Sequence, residues 1–167
     1  MTRHAPWVLV TVFVLVLGTA CDAGGGDASL ETCATDEIDA VREAALRWLI
    51  DHQAPLVETG VCLGIAHGEV DESQGADPST EFMARFADLE VPVYRESRCH
   101  WDWAVLDPDD NRTVLYQAGD VCRDGDQAVT TASAVWDGTA GAAHRFELRR
   151  RSSGVWEVVS NEMLWIK

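Results

Sequence analysis

Apolar positions recur along the chain with two periods, and the change of period divides it. Within residues 36–52, Ile38, Val41, Ala45, Trp48 and Leu49 share one face of a helix. Thr35 and Asp36 supply a cap, while Asp36, Glu37 and Asp39 suit the positive end of the helix dipole. Glu43 and Arg47 have the spacing of a helical ion pair, and Pro55 marks the end. Residues 61–67 (VCLGIAH) form a short apolar run that reads as a strand. After an acidic loop, Asp77 and Pro78 predict the start of a second helix, with Phe82, Met83, Phe86 and Leu89 as its buried stripe.

From residue 91 onward the period is two. In residues 98–106, Cys99, Trp101, Trp103 and Val105 alternate with Arg98, His100, Asp102 and Ala104, which puts both tryptophans on an expected core face. The turn residues Asp107 to Asn111 follow. Strands are then predicted at 113–121, 128–136, 142–151 and 155–166, the last bulged near Ser160 and Asn161. Turns with no intervening helix predict an antiparallel meander. The expected fold class is α+β, with an N-terminal helix and a second short helix packed on a curved antiparallel sheet of about five to six strands. The order helix, strand, helix, then five strands resembles the nuclear transport factor 2-like (polyketide cyclase-like) cone, with a cystatin-like wrap as the nearest rival. The resemblance is one of element order. It implies a pocket between sheet and helices, which some members use for dehydration, isomerisation or cyclisation and others only for binding.

The N-terminus reads MTRHAPWVLVTVFVLVLGTAC, with Arg3 ahead of an apolar segment from Trp7 to Leu17 and then small residues. That is the order of an export signal. Eleven helical residues cover roughly 16 Å, too short for a bilayer core of about 30 Å. Leu17, Gly18, Thr19, Ala20 and Cys21 resemble the cleavage motif of bacterial lipoproteins in a relaxed form, since Gly18 stands where that family usually has leucine. The resemblance implies a signal peptide over 1–20, a lipidated Cys21, a flexible tether over 21–34 and one globular domain over 35–167. A plain secretory signal would leave Cys21 as an ordinary thiol. In some Gram-negative bacteria an aspartate at the position of Asp22 implies retention at the inner membrane. The glycine run in the tether gives a reach of about 18 Å. The expected location is the extracytoplasmic face of a membrane in the cell envelope.

Composition narrows the partners. The 167 residues are 47% hydrophobic and 25% charged, which excludes a wholly disordered chain. The net charge is -15, from 13 basic and 28 acidic residues, which argues against nucleic acid and against electrostatic binding to anionic lipid. The membrane partner is therefore expected to be held through lipid.

Apart from Cys21, the cysteines are Cys33, Cys62, Cys99 and Cys122, an even set that in an exported domain points to two disulfides. Four cysteines allow three pairings. Cys62–Cys99 with Cys33–Cys122 is favoured because Cys62 and Cys99 both fall in predicted strands. No CxxC or HxxxH spacing supports a metal, and no cofactor is implied.

Several constellations invite chemistry. His144 alternates with Phe146 and Leu148 and is expected to face the core, either as a general base in a pocket or as a satisfied core histidine. His100 and Asp102 share a face, but with Arg98 and opposite the tryptophans, so a solvent-exposed pair is expected. Arg149, Arg150 and Arg151 read as a solvated strand end. Asp107, Asp109 and Asn111 begin like a calcium loop, but Arg112 and Ala118 occupy the positions of its glycine and closing glutamate. A looser site could draw on Asp107, Asp109, Asp110, Asp124 or Asp126. Trp101, Trp103, Trp136, Trp156 and Trp165 invite a carbohydrate or aromatic ligand, yet in predicted strands they are expected to fill a core. No catalytic signature motif is present. The leading expectation is a non-enzymatic module that binds a small molecule or a protein. A lyase or isomerase built around His144, or a structural envelope protein, are the alternatives.

Overall fold

The computed structural model describes residues 35–53, 59–67, 70 and 75–167; the expected signal peptide, Cys21, the tether and Cys33 lie outside the described residues. Helix α1 spans Thr35–His52. Its buried stripe is Val41, Ala45, Leu46, Leu49 and Ile50, with Trp48 at the margin. Leu46 and Ile50 thus join the predicted face, and Ile38 is only half-buried. The predicted Glu43–Arg47 pair forms at 2.9 Å.

Strand β1 (Val61–Ile65) is followed by helix α2 (Thr80–Ala84) and strand β2 (Val93–Arg95). Ser79, not Asp77, caps α2: its hydroxyl accepts the Phe82 N–H at 3.0 Å. Asp77 instead accepts hydrogen bonds from the backbone and hydroxyl of Ser97 at 2.9 and 2.6 Å. Of the predicted α2 stripe, Phe82 and Phe86 are fully buried, while Met83 and Leu89 pack at the edge of the core.

The four long strands of the predicted meander are β5 (Val114–Asp124), β6 (Gln127–Asp137), β7 (Ala140–Arg150) and β8 (Trp156–Ile166). They pair antiparallel in succession. The full sheet has six strands in the order β2-β1-β5-β6-β7-β8. It is mixed rather than wholly antiparallel, because β1 runs parallel to both neighbours. The physical reason is connectivity. A hairpin needs only a tight turn, whereas β1 is followed by a long crossover carrying α2, which returns the next strand in the same direction. The β7–β8 register skips Val159 and Leu164, so β8 is bulged at two places flanking the predicted one.

The expected strand over residues 98–106 is not continuous, and this is the main correction to the sequence reading. The segment holds one turn of 3-10 helix (Glu96–Arg98), then strands β3 (His100–Trp101) and β4 (Val105–Leu106), which pair as a separate two-stranded sheet. The Asp102 N–H bonds to the Ala104 carbonyl at 3.2 Å, reversing the chain before it can extend. Trp101 and Trp103 are consequently 44% and 60% exposed, not in the core.

Alternation along β1 and β5 separates two packing faces. Val61, Leu63, Ile65, Val114 and Tyr116 face α1 in the main core. Alanines at 118, 132 and 134 let the helix approach this face closely. Cys62 and Leu115 point the other way, into a small cluster with Val105, Tyr94 and Cys99. No helix covers this second face among the described residues. Its cover is the segment 96–106, tied down at two points. Cys99 is disulfide-bonded to Cys62, 37 positions earlier in the chain. Glu96 lies over Gly64, its buried carboxylate accepting the Gly75 N–H at 2.9 Å and the Gln117 side-chain amide at 3.1 Å. A Cβ at position 64 would fall 1.8 Å from Glu96 Oε2, so only glycine admits the carboxylate. Gly64→Ala is expected to lower stability by about 1–3 kcal/mol through overpacking, read as a lower midpoint in urea denaturation.

Candidate functional site

His144 sits on β7 as its alternation requires, 4% exposed, with Phe146 and Leu148 buried on the same face. The ring lies 5.8 Å, centroid to centroid, from both Trp48 and Phe146. At the end of α1, the Gln53 side-chain amide donates to Nε2. That leaves Nδ1 as the protonated nitrogen of a neutral ring, and Nδ1 has no partner among the described residues. Burial pushes the His144 pKa down from its ordinary value, partly opposed by the neighbouring Asn161 amide. A base needs a route for its proton and usually a carboxylate to orient it. No carboxylate bonds this ring among the described residues, and burial favours its neutral form.

The other sequence candidates disperse. His100 and Asp102 do not pair; His100 Nε2 lies 3.1 Å from Asp110 Oδ1, with both side chains exposed. Asp107 is buried, and its Oδ1 accepts the N–H groups of Asp109 and Asn111 at 2.9 Å each. That carboxylate shapes its own turn. Among the described residues, no three His, Cys, Asp or Glu side chains converge as metal ligands, and Asp124 and Asp126 lie at the β5–β6 turn, away from Asp107. In the arginine run, Arg150 bonds Glu37 at 3.0 Å and Arg151 bonds Glu157 at 2.5 Å, while Arg149 is exposed. Cys122 lies exposed on β5, and its expected partner Cys33 is outside the described residues.

The most developed site lies on the opposite face of the sheet from His144. Trp101, Val135, Asp137, Gly138, Gly141, Trp165 and Lys167 line an open cleft of about 280 Å³. Its floor is the cross-strand pair Val135 and Gly141 near the β6–β7 turn. The bridge between Ala104 and Asp137 brings the β3–β4 hairpin alongside, and with it Trp101. Trp165 is held in place: its indole N–H donates to the Val70 carbonyl at 3.4 Å, and its ring rests on Gly141, where a Cβ would come within 3.3 Å of it. The Lys167 ammonium lies 5.7 Å from the Trp165 ring centroid. Asp137 accepts the Thr139 N–H and hydroxyl at 2.8 and 3.0 Å. These bonds hold its carboxyl below the usual range, so it is a fixed anion at neutral pH.

Two indole walls with one acceptor and one donor group suit the holding of a ring with a polar rim. Sequence reasoning considered the tryptophans for such a role and assigned them to the core. It gave no role to Asp137, Gly141 or Lys167, which reach the site only through strand pairing. No local signal marked these positions, because residues 98–106 are long enough for a strand and alternate as a core strand does. Compared with family models, curated proteins and solved structures, the chain matches none.

Two outcomes test this geometry. The folded-state pKa of His144 lies below that of a free histidine, 6.5. Its contribution to stability is therefore complete above about pH 6.5 and declines as the pH falls below it. Thermal melts between pH 7 and pH 5 are expected to show that decline in the parent protein and a flatter profile in His144→Gln. Second, Cys62→Ser is expected to cost about 3–4 kcal/mol and to leave the α1 face folded. Trp101 would then be released, which faster acrylamide quenching of tryptophan fluorescence would report.

Proposed function

We propose that this protein is an envelope lipoprotein, anchored through Cys21 on the extracytoplasmic side of a membrane, whose domain is a non-enzymatic ligand-binding module. The observation that carries the binding reading is the Trp101–Trp165 cleft: two half-open indoles, one locked by a backbone hydrogen bond, facing a fixed carboxylate. Rigid aromatic walls held ready before a ligand arrives lower the ordering cost of binding. Among the described residues the lining is two indoles, a valine, two glycines and one charged group of each sign, a composition suited to holding a ligand. The Cys62–Cys99 bridge supports the location, because such bonds persist in oxidising compartments. The relaxed lipoprotein motif ending in Cys21 and the glycine-rich segment after it support the anchor.

Two measurements test the reading. Cys21→Ser is expected to move the protein from the membrane fraction to the soluble fraction; retention in the membrane would refute the lipid anchor. Native mass spectrometry of protein extracted from its own membrane is expected to show added mass that is lost on denaturation. That mass should be missing from the double variant Trp101→Ala, Trp165→Phe. A native mass equal to the lipidated chain alone would count against a tightly held ligand.

A further inference from the structure

We propose that the Trp101–Trp165 cleft is one subsite of a longer surface that binds an uncharged oligosaccharide, an inference that rests on the binding-module reading and specifies its ligand. The aromatic surface does not stop at the cleft. Trp103 follows Trp101 after one residue and is 60% exposed, the most open tryptophan among the described residues. Arg112 joins it to the cleft: its guanidinium carbon lies 4.4 Å from the Trp103 ring centroid and its Nη2 lies 3.9 Å from Asp137 Oδ2. A stacked, charge-tethered tryptophan beside a tryptophan-lined cleft is a row of ring platforms, not an isolated hole.

The size of the cleft sets how much of a ligand it holds. About 280 Å³ falls at or below the small end of ordinary ligand pockets, roughly 300–1,000 Å³, so it takes one ring at a time. A single flat metabolite would fill it and gain nothing from Trp103. A chain of rings would use both. The polar groups favour hydroxylated rings: Asp137 only accepts and Lys167 only donates, and a sugar hydroxyl does both. The C–H faces of such a ring supply the apolar surface that stacks on indole. Charge removes the anionic polysaccharides, since the chain carries -15 overall and Arg112 is engaged with Trp103 and Asp137.

The test titrates the mature protein with cellohexaose, chitohexaose and maltohexaose, following tryptophan fluorescence and calorimetry. Cellobiose serves as the short control, polygalacturonate as the anionic control and adenosine as the flat aromatic control. At least one hexasaccharide is expected to bind about tenfold more tightly than a disaccharide, with polygalacturonate silent. Trp101→Ala should lower affinity for both lengths by about tenfold, whereas Trp103→Ala should remove only the advantage of length. Both side chains are exposed, so each variant is expected to fold, and an unchanged melting temperature checks it. Trp165→Phe gives a second variant that keeps an aromatic floor. Binding of adenosine in a Trp101-dependent way with no response to any hexasaccharide would overturn the saccharide inference and leave the binding module standing. Equal affinity for short and long sugars would overturn the extended surface. No response to any probe would overturn the inference, and the mass measurement above would then decide the module reading by itself.

Discussion

The covalent bond between Cys62 and Cys99 is the constraint on which the second face of this sheet depends. The first face is secured by ordinary burial. Helix α1 lays five buried side chains against the sheet, lying mainly over β5, β6 and β8, and such burial contributes about 25 cal/mol for each Å² of apolar surface removed from water. The second face has no such partner among the described residues. Its cover is a short segment with two-residue strands whose two tryptophans stay exposed, and an isolated hairpin of that size is marginal in water. The disulfide and the Glu96 carboxylate, seated over Gly64 by three donated hydrogen bonds, hold that segment down where apolar contact alone would not. The cleft inherits this arrangement, because Trp101 stands two residues beyond Cys99.

The mixed sheet follows from the same part of the chain. Strand β1 is buried at all five positions because it has a strand on each side and a covered face above and below. Far from it, the hairpin ends are joined to the start of α1 by Glu37, which bonds Arg123 of β5 and Arg150 of β7. Partly exposed pairs of this kind each contribute about 0–1 kcal/mol, so they set the docking angle of the helix more than its stability. At the other edge, β8 exposes Val159, Met163, Leu164 and Ile166. Its two bulges are a common way to make a sheet edge a poor template for further strands.

The two faces divide the work. The α1 face takes His144 into a setting of Trp48, Phe146 and Gln53, where burial favours the neutral ring. The opposite face is left with Trp101 and Trp103 largely open to solvent. Large apolar groups exposed together on a soluble domain mark interaction sites more often than they mark accident. Here they stand beside a fixed carboxylate and an ammonium, which supplies direction as well as area.

The sequence by itself determined the helix at 35–52, the four meander strands to within a few residues and the inward direction of His144. These are local properties: hydrophobic period and turn residues. The Cys62–Cys99 bond is the pairing the sequence favours among three, but on the premise of a strand at Cys99, which instead closes the 3-10 turn Glu96–Arg98. Tertiary structure alone decided that β1 lies parallel between β2 and β5, since strand direction within a sheet depends on crossovers that no local pattern encodes. It also decided the fate of the tryptophans. Alternation in residues 98–106 was real, but alternation says only that two faces differ. Which face is buried depends on what lies opposite, and for Trp101 and Trp103 the chain turned at Asp102 before any partner strand could cover them. The cleft was illegible for the same reason: its walls come from positions 101, 137, 141 and 165, brought together by register and one disulfide rather than by any spacing along the chain.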